Sequence, residues 1–115
     1  MKRNVVKEKS YAYAIATVEI SRKLILKKEY VLSRQFLRAG TSIGANIREA
    51  EFAQSRADFI NKMSISLKEA NESDYWLDLL YETKFIEESD FRIQKSAILE
   101  LLRLLTTIIN TTKST

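Results

Sequence analysis

Few side chains in this sequence sit at spacings that could do chemistry. Ser64 and Lys68 stand four apart, as a serine and its lysine base might, but helix surfaces produce such pairs by chance. Glu69, Glu72, Asp74 and Asp78 crowd one stretch, where two carboxylates could hold Mg²⁺. The di-metal pattern of helical bundles requires Glu-x-x-His motifs, and the chain contains no histidine. It contains no cysteine either, so zinc sites, thiolate nucleophiles and Ser-His-Asp machinery are excluded. Gly40-Thr41-Ser42-Ile43-Gly44 holds the only two glycines and lacks the Lys-Ser/Thr of a phosphate loop. The expectation is a protein that is not an enzyme and uses no metal or cofactor.

What remains is charge and surplus apolar surface. The formal net charge is +4, and it is unevenly spread: residues 1–30 carry eight Lys/Arg against three Glu, whereas later segments are near balance. Such asymmetry suits an anionic partner. Lys23, Lys27, Arg34, Arg38 and Arg48 are the candidate nucleic-acid-binding residues, because an antiparallel first and second helix would gather the first four at one end. Arg48 would continue the stripe about 15 Å beyond Arg38. Arginine's planar fork bonds phosphate oxygens in pairs, while aromatic residues for stacking bases are scarce there, with Tyr30 and Phe36 the only candidates. Contact is therefore expected with the backbone of RNA or DNA rather than with its sequence.

The elements that must position these residues are helices. Across 115 residues there are no prolines and two glycines, a composition of one domain spanning 1–115 and built from long regular elements. Four periodic segments appear, at about Val5–Glu29, Arg34–Ala53 with Ser33 as N-cap, a stretch from Ser55 to Thr83, and Asp90–Asn110, with Thr111–Thr115 as a frayed tail. Ser55-Arg56-Ala57-Asp58 has the form of a capping box. Short breaks between the segments predict an all-α, up-down-up-down four-helix bundle.

Gly40 and Gly44 should let a neighbouring helix approach closely. Asp74 falls within the apolar face of the third helix and must find a partner there. The first and third helices are apolar on two sides, Tyr11, Ala14, Ile15, Val18 and Ile25 lying opposite Tyr13, Thr17, Ile20 and Leu24 in the first. A bundle core uses one stripe per helix, so the surplus stripes ask for partners between protomers. Ile65, Tyr75, Trp76 and Leu79 of the third helix are the expected oligomer interface. The N-terminal cations ahead of Tyr11–Val18 imitate a secretory signal, but Glu19 and Arg22 interrupt the apolar run at once, and no stretch approaches a membrane span. A cytoplasmic location without membrane contact is expected.

The segments Leu32-Ser33-Arg34-Gln35, Gly40 through Ala50, Ala53 through Phe59 and Leu67 through Leu77 resemble the bacterial four-helix-bundle proteins encoded in intervening sequences of large-subunit ribosomal RNA genes, also called S23 ribosomal proteins. The resemblance spans nearly the whole chain. It implies a homopentameric barrel without catalytic activity, with Gly40, Gly44, Asn46, Glu69, Asn71 and Trp76 in structural roles. A related accessory protein of diversity-generating retroelements implies two partners, a reverse transcriptase and nucleic acid. The functional expectation is a noncatalytic nucleic-acid-binding protein on a homo-oligomeric ring. The alternative is a scaffold or accessory subunit organising a partner enzyme such as a reverse transcriptase.

Overall fold

A computed structural model describes residues 4–115, so Lys2 and Arg3 of the basic N-terminus lie outside the described residues. Four helices follow in order, α1 Val5–Leu26, α2 Val31–Ala50, α3 Arg56–Glu82 and α4 Glu88–Lys113, without strands among the described residues. Each packs on its neighbours in the chain and α1 closes against α4, giving a bundle of 47 × 26 × 21 Å.

The ends of the helices explain where the segments break. Asn4 caps α1 by accepting from the Lys7 amide at 3.1 Å. Ser55 caps α3 through the Asp58 amide at 3.0 Å, and the Asp58 carboxylate reaches back to the Gln54 amide at 3.2 Å. Ser33 is not the cap of α2. The N-cap is Tyr30, and the side-chain acceptor comes from Glu29 before it, whose Oε1 accepts from the Leu32 amide at 2.7 Å, so the helix begins at Val31 and Ser33 is buried inside it. Nor is the C-terminal tail frayed: Arg56 donates to the Thr112 carbonyl from Nε and Nη2 at 3.1 and 2.6 Å, satisfying an end carbonyl and holding α4 helical to Lys113.

Two interhelical turns share one construction. Lys28 and Lys84 both have left-handed backbone, at φ 64° and 66°. In each turn the next amide bonds back five residues, Glu29 to Leu24 and Phe85 to Leu80, both at 2.9 Å. These are Schellman turns with lysine where glycine is favoured. Lys28→Gly and Lys84→Gly should each stabilise the fold by roughly 0.5–1 kcal/mol, since the Cβ penalty outweighs the added unfolded-state entropy. A lowered urea midpoint in either variant would contradict this.

Of the two stripes on α1, the one bearing Tyr13, Thr17, Ile20 and Leu24 faces the core, against Phe36, Ile43, Leu77, Leu80, Ile98, Leu101 and Leu105. Polar groups go in with it, and all but the Ser21 hydroxyl are paired among the described residues. The Tyr13 hydroxyl meets Ser73 Oγ at 2.7 Å across the bundle, Thr17 donates to the Tyr13 carbonyl at 2.8 Å, and Gln94 donates to Thr17 Oγ1 at 3.2 Å. Ser66 donates to the Ile43 carbonyl at 2.9 Å. Asp74 finds Lys95, whose Nζ lies 2.7 Å from it and 3.0 Å from Asp78.

Burial pushes the Tyr13 hydroxyl well above its usual pKa. Burial opposes the charge on Lys95, but hydrogen bonds to Asp74 and Asp78 prevail and raise it, and a hydrogen bond to Asp90 raises Lys23. All three groups hold their protons more tightly folded than unfolded. Their stabilising contribution is complete below the unfolded pKa of about 10 and declines as pH rises beyond it. With no histidine in the chain, urea midpoints should be flat from about pH 6 to 9 and fall above about 10. Tyr13→Phe should make that alkaline fall shallower.

Candidate nucleic-acid interface

The five cations expected to form one stripe are divided by the bundle. Lys23 turns toward α4 and pairs with Asp90 at 2.9 Å, and Lys27 donates to the Phe85 carbonyl at 2.8 Å. Arg38 turns toward α3, where it pairs with Glu69 at 2.9 Å and with Glu72. Glu72 also accepts from the Trp76 indole at 2.9 Å, so an arginine, two carboxylates and an indole form one network between α2 and α3. Lys23 and Arg38 are thus neutralised within the chain.

Arg34 and Arg48 are different. Both are exposed on α2 and neither meets a carboxylate; the Arg48 guanidinium lies over the Tyr11 ring, 5.9 Å from its centroid. Among the described residues Arg22, Lys28, Lys68, Lys84 and Lys113 are also exposed without a carboxylate partner; Arg22, the one arginine of these, is not marked by spacing along α2. The signal for Arg22 lay elsewhere, because it falls within the surplus stripe of α1 between Val18 and Ile25. Arg22, Arg34 and Arg48 therefore mark the side of the bundle formed by α1 and α2. A half-open groove of about 420 Å³ runs between these helices, lined by Tyr11, Ala14, Thr41, Gly44, Ala45 and Arg48, with Lys7, Ser10 and Glu49 completing it.

The surplus apolar stripes also stand outside the core. On α3, Tyr75 is 60% exposed and its ring meets that of Trp76 edge to face, centroids 5.1 Å apart; Ile65 is at the edge of exposure, while Trp76 and Leu79 are half-buried. On α1, Ile15, Ile25 and Leu26 are exposed, Leu26 at 83%. Among the described residues no cluster of three or more acidic side chains is arranged to hold a metal ion, and no helix is long and apolar enough to cross a membrane.

The family model for the 23S rRNA-intervening sequence protein matches residues 2–107. The chain belongs to that family. A solved structure agrees: a protein of unknown function of the S23 ribosomal protein family from Bacteroides thetaiotaomicron VPI-5482 is 52% identical, with a TM-score of 0.88 over 90% of this chain and 97% of that one. No curated protein matches the chain. The intervening-sequence family assignment thus rests on sequence and fold together, and neither carries an assigned activity.

Proposed function

We propose that this intervening-sequence family protein is a noncatalytic nucleic-acid-binding protein that contacts the backbone of RNA or DNA, independent of sequence, through the α1/α2 side. The observation that carries the reading is the contrast in pairing: Arg34 and Arg48 on α2 and Arg22 on α1 are exposed arginines without carboxylate partners among the described residues, whereas Lys23 and Arg38 are satisfied internally. Unpaired arginines attract phosphate without first breaking an ion pair. The family's description, which ties it to ribosomal RNA genes, supports a nucleic-acid setting. A titration of labelled RNA and of duplex DNA at stepped salt concentrations tests it. Affinity should fall linearly with salt on a log-log plot and be indifferent to sequence. Absence of binding at low salt would remove the proposal.

The same reading places several copies on one homo-oligomer, a five-membered ring, so that weak phosphate contacts act together. The α3 stripe of Ile65, Tyr75, Trp76 and Leu79 is the self-contact, since it is apolar where the α1 stripe is interrupted by Arg22. Trp76→Glu should dissociate the oligomer before it unfolds the bundle. Light scattering checks this, and a wild-type monomer at micromolar concentration would refute the assembly.

One observation favours a second reading, in which the protein is a scaffold for a partner enzyme such as a reverse transcriptase: Ile15, Ile25 and Leu26 are exposed on α1, as a protein-docking surface would be. A partner retained after nuclease treatment, together with no intrinsic nucleic-acid binding, would favour the scaffold.

A further inference from the structure

The groove between α1 and α2 has features that backbone binding alone does not use. Ala14, Gly44 and Ala45 line it with little side chain, and Gly44 lies close over Ser10. On its wall stands Tyr11, 59% exposed, an aromatic residue that a helix exterior would not otherwise favour. The Arg48 guanidinium lies 5.9 Å from the ring centroid, at the outer limit of about 6 Å for attraction to a ring face, so the ring is attended but not sealed. The Thr41 hydroxyl spends its proton on the Leu37 carbonyl and keeps a lone pair to accept a bond, whereas Ser10 is buried beneath the groove.

Positions 34, 41 and 48 recur every seven residues along α2, so a strand laid on that line meets Arg48 at the groove and Arg34 about 21 Å beyond. This is a slot with an aromatic wall and small apolar residues, the cations Lys7 and Arg48 and one carboxylate, Glu49, at its edge, Arg34 further along the line, and the Thr41 hydroxyl as an acceptor beside it. An apolar protein helix would cover those arginines without supplying counter-charge. A nucleotide supplies both a planar ring and a phosphate. A duplex keeps its bases stacked inside and cannot offer one.

We propose that the α1/α2 groove binds single-stranded nucleic acid, one unstacked base lying on the Tyr11 ring while Arg48 holds the adjoining phosphate. The proposal rests on the reading of this side as the nucleic-acid interface, and adds which form of nucleic acid it takes and the side chain that selects it.

The test measures anisotropy of a short labelled RNA, the same sequence as DNA, and each annealed to its complement, with full-length wild type, Tyr11→Ala and Tyr11→Phe. Both variants should keep the helical circular dichroism, because Tyr11 is outside the core. Either single strand should bind more tightly than its duplex at equal salt, and the RNA and DNA arms identify which sugar is preferred. Tyr11→Ala should lose roughly 5- to 150-fold of single-strand affinity, the range of one base on an aromatic ring, with duplex affinity and the salt slope unchanged. Tyr11→Phe should retain wild-type affinity.

If duplex and single strand bind alike and Tyr11→Ala changes neither, the stacking site is wrong while the backbone reading stands. Should wild type bind no nucleic acid, both fall. A change of oligomer size in Tyr11→Ala would make the groove a contact between copies and overturn the proposal.

Discussion

Gly40→Leu is expected to destabilise the bundle, although it improves helix propensity by about 1 kcal/mol. A Cβ at Gly40 would lie 2.7 Å from Thr17 Cγ2 and 2.8 Å from Thr17 Oγ1, inside any real contact distance. Thr17 cannot swing aside cheaply. It is β-branched, donates to the Tyr13 carbonyl and accepts from Gln94, so moving it disturbs α1 and α4 together. Overpacking of this kind costs 1–3 kcal/mol or more, and here it comes with a broken buried hydrogen bond worth about 1 kcal/mol. Gly44 is the contrasting position: its Cβ would meet Ser10 Oγ at 3.3 Å, a contact relieved if Ser10 gives by a few tenths of an ångström. Urea denaturation should therefore give a clear loss for Gly40→Leu, a smaller one for Gly40→Ala and the least for Gly44→Ala. A midpoint raised by Gly40→Leu would show that the glycine has no packing role.

Helix α2 was the most legible element, because Phe36, Gly40, Ile43, Ile47 and Ala50 lie on one face and the arginines on the other. Period alone could not choose between the two stripes of α1. What decides is complementarity to a helix at the other side of a turn: Thr17 fits where Gly40 leaves room, and Tyr13 reaches Ser73 across the core. Gln94 was legible in principle, since it continues the line of Ile98, Leu101 and Leu105, yet a polar residue on an apolar line draws no attention until its partners are known. It is 2% exposed and donates to α1. The start of α2 was misplaced for a related reason. Ser33 and Glu29 are competing side-chain acceptors, and the left-handed turn at Lys28 hands that role to Glu29.

The cationic stripe is a pattern of single helices, and the closed bundle divides it. Lys23 is neutralised by a carboxylate 67 positions away and Arg38 by carboxylates more than thirty away, pairings that only the closed bundle brings about. Tyr11 was visible as an apolar residue of a surplus stripe, but its position under Arg48 depends on the antiparallel register of α1 and α2, which the glycines set. The site is therefore a property of the crossing between two helices more than of either pattern.

That distinction yields the second large effect. Arg34→Gln with Arg48→Gln, and Lys23→Gln with Arg38→Gln, change the net charge equally, so a binding mode driven by overall charge would weaken alike in both. If phosphates are held by the unpaired arginines, only the first pair should alter the salt dependence. Each lost phosphate contact on duplex DNA removes about 0.9 from the log-log slope, so two remove about 1.8 per engaged protomer. Over a fourfold rise in salt that double variant would then lose roughly twelvefold less affinity per engaged protomer than wild type. The second pair should leave the slope near the wild-type value, because Lys23 and Arg38 are already neutralised by Asp90, Glu69 and Glu72. Neither pair touches the core, and light scattering on both variants checks that assembly is kept, since Arg38 shares Glu72 with Trp76 of the α3 stripe. Equal slopes in the two double variants would show that the protein's overall field, not the α1/α2 side, holds the phosphates.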